Sequence, residues 1–292
     1  MAPFFYLQFL DYLRYEKRYS NHTIVNYEVD LKQFFEFFDG EDVTILKSKE
    51  IRSWLVNLSE KKITNKTIAR KLSTLKTFYK FLQKENLIDR NPVIRINAPK
   101  VEKRLPAFVK EVELSIEKLK VLDGDTHEEK RNFLIFEVFY QTGIRLSELL
   151  LLKEKDFSKG RILVNGKRNK QRVIPLSNDL TNKIIDFQTF KQNNRINSDY
   201  IFCSNRGEKL YSKLVYRIIN SYLGCVTKME RRSPHVLRHT FATHMLNNGA
   251  GLEALKELLG HSSLSATQVY THNTFSQLTN IYSQAHPRGE KN

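Results

Sequence analysis

Between Ser233 and His244 the chain reads SPHVLRHTFATH, followed by LLGH at Leu258–His261 and then by Tyr270. Ser233 suits a helix N-cap and Pro234 the first helical position. His235 and Arg238, three apart, then leave the same face of the first turn. The partial positive charge of a helix N-terminus adds to theirs, which suits a phosphate or another oxyanion. A second histidine after Gly260, with a tyrosine nine residues beyond it, suggests a phosphate that is attacked rather than merely held.

Breaking a phosphodiester without a metal ion makes definite demands. The five-coordinate transition state concentrates negative charge on the non-bridging oxygens, and fixed cations and donors must meet it. Arginine serves best, because its planar fork holds two oxygens and stays protonated. A general acid must protonate the leaving alkoxide, and a covalent nucleophile conserves the bond for religation. Arg145 follows Gly143 in TGIRLSEL, with Glu148 one helical turn on to orient it. Lys167 lies in the polar stretch NGKRNKQR, where a flexible ammonium can reach into a groove. Taken singly these are ordinary features: an i,i+3 ion pair, a solvated basic loop, a histidine capping a helix end, one tyrosine among 13.

The elements that must carry these residues can be read from periodicity. The first hundred residues read as helices over Phe4–Glu16, Thr23–Phe38, Ser48–Leu58 and Thr67–Gln83. In the last, Ile68, Leu72, Leu75, Phe78 and Phe81-Leu82 form one apolar stripe, and Arg70, Lys71, Lys76 and Lys80 lie largely off it. Trp54 and the aromatic residues of this half read as core, not as platforms for stacked bases. Asn91–Pro106 holds three prolines and several basic residues and reads as an extended linker. Beyond it, helices are predicted over Glu128–Gln141, from Arg145 to about Leu152, and over Ser212–Leu223, Pro234–Asn248 and Leu252–Leu259. Arg161–Val164 and Arg172–Leu176 read as two strands of a hairpin, with Asn165-Gly166 as the simplest turn or a longer loop around Asn169. Tyr200–Cys203 reads as a further strand. His239 and His244 read as packing or hydrogen-bonding residues.

The chain is strongly basic, with net charge +16 and pI about 9.7. Both halves share the excess, so a polyanion touching both, nucleic acid foremost, is the expected partner. Cys203 and Cys225 are the only cysteines and form no CxxC pair, so neither a zinc site nor a disulfide framework is expected. No secretory signal and no membrane-spanning run is expected, which fits a cytoplasmic protein.

Taken together, TGIRLSEL, GKRNKQR, HVLRHTFATH, LLGH and Tyr270, in that order and spacing, resemble the tyrosine recombinase (phage-integrase) family. The N-terminal helices, the segment ARKLSTLKTFYKFL and the closing AHPR at Ala285–Arg288 resemble its bacterial Xer branch. Arg168 departs from the glycine that the family has after the lysine, and Lys170 is the alternative for the lysine's role. The resemblance implies that Arg145 and Arg238 clamp the scissile phosphate, with Glu148 supporting Arg145. It implies that Lys167 protonates the leaving 5′ oxygen and that His235 acts as acid or base near the nucleophile. His261 would donate to a phosphate oxygen, and Tyr270 would attack to give a 3′-phosphotyrosine. No metal or other cofactor is called for.

The expected fold is therefore α+β and mostly helical. An all-α core-binding domain over 1–98 and a basic, Pro-containing linker over 99–106 precede a mixed α/β catalytic domain over 107–292. The domains would close as a clamp on duplex DNA, and the C-terminal tail, with Phe275, Leu278, Ile281 and Tyr282 at helical spacing, would dock on a neighbouring protomer. DNA contacts are expected from Arg70, Lys71, Lys76, Lys100, Lys103, Arg104, Arg168, Lys170 and Arg172. The Xer resemblance implies resolution of chromosome or plasmid dimers by a homotetramer, or a heterotetramer with a second recombinase, on two DNA sites. It also implies activation by a cell-division DNA translocase. Rival readings are a mobile-element integrase or DNA-inversion recombinase, a type IB topoisomerase-like enzyme, and a DNA-binding protein without catalysis. Such integrases often carry an additional arm-binding domain, for which no room is expected before Phe4.

Overall fold

A computed structural model describes residues 4–39, 41–101, 107–115, 119, 123–166, 171–260 and 272–289. Contacts divide the chain into two compact units, Met1–Arg104 and Leu105–Asn292.

The first unit is helical: α1 (Phe4–Asp11), α2 (Asn21–Phe37), α3 (Ser48–Glu60) and α4 (Asn65–Lys84). The helix expected over Phe4–Glu16 widens after Asp11 into a π-helical turn, Tyr12–Glu16. Side-chain caps set two of the starts. Ser20 Oγ accepts from the Thr23 amide at 3.3 Å, and Thr64 Oγ1 accepts from that of Thr67 at 3.4 Å. The expected stripe of α4, including Ile68, Leu72, Leu75 and Phe78, is buried against Phe9, Leu31 and Phe34. Trp54 meets Phe34 edge-on at 5.1 Å, deep in that core.

The segment expected to be an extended linker is partly folded onto this unit. Val93 and Ile96 are buried in its core. Ser48 Oγ donates to Pro92 O at 2.6 Å, and Asn65 Nδ2 donates to Lys100 O at 2.9 Å. The two apolar side chains explain the difference, because burying them outweighs leaving the strand solvated. Lys103, Arg104 and Pro106 lie outside the described residues.

The second unit is built around α5 (His127–Thr142), most of whose residues are buried. A reciprocal cap starts it: Thr126 Oγ1 accepts from Glu129 N at 3.2 Å, and Glu129 Oε2 accepts from Thr126 N at 3.1 Å. Gly143 ends it at φ +58°, and a Cβ there would meet the Phe241 ring at 2.6 Å. The next helix, α6, is a single turn, Leu146–Leu149, shorter than expected. The chain leaves it to pair with a later segment: Ile201 N donates to Leu152 O at 3.1 Å and Glu154 N to Asp199 O at 2.8 Å. Tyr200–Cys203 correspondingly forms isolated bridges, Lys153–Tyr200 and Cys203–Lys209, in place of the expected strand.

A small antiparallel sheet follows in the order β1 (Phe157–Ser158), β2 (Arg161–Asn165), β3 (Gln171–Pro175). The β2–β3 register ends at Asn165 opposite Gln171. Five residues therefore separate the strands, which rules out a two-residue turn at Asn165-Gly166. Helix α7 (Asn178–Asn193) was not anticipated. Its signals are present in the sequence: Ser177 Oγ accepts from Leu180 N at 3.1 Å, and Leu180, Ile184 and Phe187 form a buried stripe. Helices α8 (Ser212–Val226), α9 (Pro234–Asn247), α10 (Leu252–Leu259) and α11 (His272–Ala285) complete the unit. Of the stripe expected to dock on a neighbour, Leu278 and Tyr282 are buried within the chain's own unit, while Phe275 and Ile281 stay partly exposed. Leu278, Tyr282 and Ala285 of α11 are buried with Phe241, Met245 and Leu258. Among the described residues, no helix is long and apolar enough to cross a membrane.

Candidate active site

Ser233 caps α9 as expected, its Oγ accepting from Val236 N at 3.4 Å, with Pro234 at the first position. One turn on, Arg238 points into the unit and is 8% exposed. Its Nη1 donates to Gly143 O at 2.5 Å and its Nη2 to Leu259 O at 2.6 Å. Burial lowers its pKa to about 10, helped by the positive charges of Arg145 and Arg172 and opposed by Glu148. It therefore stays protonated at neutral pH. His235 is exposed beside it and makes no hydrogen bond to a described residue. The two share a helix turn but differ in depth.

Arg145 stands just before α6, where its position is fixed through Glu148. The Arg145 amide donates to Glu148 Oε2 at 2.9 Å, and Nη1 donates to Oε1 at 2.8 Å. The opposite nitrogen, Nη2, donates to Gly260 O at 2.7 Å. Glu148 is 5% exposed and serves a second arginine as well. Arg172 approaches from β3 and donates from Nη1 to Oε1 and from Nη2 to Oε2, both at 2.8 Å. Burial by itself would raise the Glu148 carboxyl. Hydrogen bonds and charge from Arg172, with the Arg145 amide and guanidinium, instead hold it down to about 2.

The three arginines also converge on one helix end. Arg172 Nε donates to Leu258 O at 2.8 Å, Arg238 to Leu259 O, and Arg145 to Gly260 O. These are consecutive carbonyls at the C-terminus of α10, where a helix leaves acceptors unfilled and its dipole is negative. Gly260 turns away at φ +64°, and a Cβ there would lie 3.0 Å from Arg172 Nη1. Main-chain oxygens and one carboxylate thus hold three guanidinium groups together. Three positive charges against one negative leave the cluster cationic. Each guanidinium has five N–H groups, so Arg145 and Arg238 keep donors beyond those used here. Arg145, with 28% of its side chain exposed, is the one that solvent reaches most readily. Such a preorganised group is suited to stabilising charge on the oxygens of a phosphate.

The expected DNA contacts divide. Lys76 and Lys100 are exposed. Arg70 is half-exposed and ion-paired with Asp30. Two residues need correction. Lys71 is 4% exposed, its Nζ donating to Asp30 Oδ1 at 2.8 Å and to Gln33 Oε1 at 2.5 Å. Arg172 is also 4% exposed and committed to Glu148. Neither faces solvent, because each neutralises a buried carboxylate. Strand alternation was the missed signal for Arg172: it lies opposite Val164 and two before Ile174, on the inward face. His244 is structural as expected, donating from Nε2 to Val109 O at 2.8 Å and accepting from the Tyr140 hydroxyl at 3.3 Å. Lys167, Arg168, Lys170, His261 and Tyr270 lie outside the described residues.

Comparison with known proteins places the chain in a family. The phage integrase family matches residues 115–277, and the phage integrase N-terminal SAM-like domain matches residues 7–86. A protein of Halalkalibacterium halodurans named tyrosine recombinase XerC is 38% identical over 292 residues, 96% of each chain. One of the same name from Bacillus licheniformis is 40% identical over 97% of this chain and 96% of its own. Among solved structures, the XerH recombinase bound to a palindromic difH substrate superposes with TM-score 0.70 at 23% identity, over 89% of this chain and 79% of its own. A lambda integrase dimer bound to a core site does so with TM-score 0.67 at 21% identity, over 90% of this chain and 98% of its own. A lambda integrase tetramer bound to a Holliday junction has the same fold, with TM-score 0.66 at 21% identity, over 90% and 80%. With both of its units matched and relatives aligned over nearly its full length, the chain belongs to the phage integrase family and is a Xer-type tyrosine recombinase.

Proposed function

We propose that this recombinase cuts and rejoins duplex DNA at specific sites through a 3′-phosphotyrosine on Tyr270. The observation that carries the reading is the joint anchoring of Arg145 and Arg238 around Glu148 and the end of α10. Held in place before substrate arrives, the two guanidinium groups meet the charge that grows on the non-bridging oxygens without reorganising. Tyr270 attacks phosphorus and the 5′ oxygen leaves with a proton from Lys167. His235 handles the proton at the nucleophile, and His261 donates to a phosphate oxygen. Attack by a 5′ hydroxyl of another strand reverses the step and regenerates Tyr270. The bond energy is conserved, so neither ATP nor a metal ion is consumed or required.

The Xer relationship supports resolution of chromosome or plasmid dimers in the cytoplasm. By analogy with the dimeric and tetrameric neighbours on DNA, four protomers would act on two sites, as one recombinase or with a second. A cell-division DNA translocase would switch the assembly on. Phosphate contacts from a chain of net charge +16 make binding strongly salt-dependent.

The test is a nicked suicide duplex carrying a site selected from randomised DNA by binding to the protein, incubated in chelator. A covalent protein–DNA adduct is expected, and Tyr270→Phe abolishes it. An adduct that persists in that variant sinks the nucleophile assignment.

A further inference from the structure

Arg172 was expected on the DNA surface, yet it is buried in the catalytic unit and bonds to two separate parts of it, Glu148 and Leu258. Its strand, β3, directly follows the 166–170 segment that contains Lys167. Its two terminal nitrogens grip both oxygens of Glu148, the residue that orients Arg145. Its Nε holds Leu258 O, near the helix end that precedes His261. Three of its five N–H groups are therefore spent inside the protein, and the side chain is nearly sealed from solvent.

The electrostatic consequence is more specific than packing. Glu148 Oε1 accepts from Nη1 of both Arg145 and Arg172. Without Arg172, the whole carboxylate charge would fall on Arg145 and compete with a phosphate for its guanidinium. With Arg172 present, one positive charge offsets Glu148 and that of Arg145 is left for substrate. Lysine cannot replace it in kind, because a point ammonium cannot serve two carboxylate oxygens and a carbonyl from one plane.

We propose that Arg172 is a positioning residue for phosphoryl transfer, aligning and un-neutralising Arg145 through Glu148 without contacting DNA. This rests on the recombinase reading above. It follows that Arg172 affects the chemical step and leaves DNA affinity alone.

The experiment compares Arg172→Lys and Arg172→Met with the unaltered protein on the suicide duplex, at saturating protein, alongside equilibrium DNA affinity across a salt series. Misplacing a catalytic group by about 1 Å costs roughly 10²-fold in rate, and a fall of that order in adduct formation is expected. Affinity and the salt slope should stay unchanged. A duplex with a neutral methylphosphonate at the scissile position needs less cationic clamping, so the defect should shrink on it, as it should for Arg145→Ala. In a Glu148→Gln background, Arg172→Met should add little, since both act through one contact. If the Met variant fails to fold, the Lys variant carries the comparison, with melting temperatures recorded for both.

A parallel loss of affinity and of about one unit of salt slope would make Arg172 a phosphate contact and overturn the proposal. So would unchanged cleavage, or a defect of undiminished size on the methylphosphonate. Absence of a Tyr270-dependent adduct with the unaltered protein would overturn the recombinase reading itself, and this inference with it.

Discussion

Arg238 donates to the main-chain oxygen of Leu259 at 2.6 Å, so the guanidinium on α9 is fastened to the end of α10 by a carbonyl rather than by a carboxylate. Its other nitrogen does the same with Gly143 O at the end of α5. Three helices thus meet at one cation. A carbonyl aims the charge without cancelling it, whereas Arg145 is aimed by a carboxylate, Glu148, whose charge Arg172 offsets. The two arginines proposed to clamp the phosphate are held by different means, and their variants should differ.

Arg238→Lys keeps a positive charge but cannot span Gly143 O and Leu259 O together, leaving at least one buried acceptor unfilled. Cleavage on the suicide duplex should fall by about 10²-fold or more, the cost of removing one preorganised oxyanion donor. DNA affinity should change by less than a few-fold, because phosphates along the whole site supply it. Equal losses in rate and affinity, measured by adduct formation and by titration, would reduce Arg238 to a binding residue.

The first unit contains a buried charge pair whose two halves are unequal. Asp30 accepts from Lys71 Nζ at 2.8 Å and from Thr74 Oγ1 at 2.9 Å, and Arg70 also pairs with it. Asp30→Ala strands the buried Lys71 ammonium and should cost about 3–5 kcal/mol in urea unfolding. Lys71→Met empties Oδ1 but leaves Arg70 and Thr74 both donating to Asp30 Oδ2, so the carboxylate stays paired and the cost should be less. Equal costs would show that Arg70 gives Asp30 no support.

Much of the site could be read before the fold was known, because its signals are local. The i,i+3 spacing of Arg145 and Glu148, and the Ser-Pro start before His235 and Arg238, each lie within one helical turn. The missed features depend on residues far apart in sequence. Arg172 looked like one more basic residue near a polar loop, and only its pairing with Val164 and the arrival of Glu148 beside it reveal a buried partner. The carbonyls of Leu258, Leu259 and Gly260 have no side-chain signature at all. Tyr200–Cys203 has strand composition, but the segment it meets near Lys153 leaves at once for a 3₁₀ turn at Glu154–Asp156, so no ladder extends. Helix α7 is legible in the sequence from the Ser177 cap and the Leu180–Ile184–Phe187 stripe.

The closing AHPR predicts an acid-sensitive anchor for α11. His286 is fully buried among the rings of Tyr140 and Tyr282, each at 5.2 Å, and Phe241 at 5.6 Å. Its Nε2 donates to Tyr140 O at 3.3 Å, and its Nδ1 accepts from Arg288 N at 3.1 Å. That pattern requires the neutral ring, since a proton on Nδ1 would face an N–H. Burial, aided by the nearby charge of Arg288, lowers the pKa from 6.5 to about 3. The unfolded chain therefore binds a proton near pH 6.5 that the folded chain refuses until about pH 3. The resulting stabilisation is full above pH 6.5 and is lost as pH falls through that window. By pH 5 the loss should reach about 2 kcal/mol, at 1.36 kcal/mol per pH unit. His286→Phe keeps the aromatic packing and removes the titration, so it starts less stable at pH 7 but should lose less on going to pH 5. His244 shifts in the same direction and is unaltered by the change, so the difference between the two unfolding profiles isolates His286. If urea midpoints of the two proteins fall in parallel between pH 7 and pH 5, the folded chain is taking up the proton, and the bonds to Tyr140 and Arg288 do not hold the ring neutral.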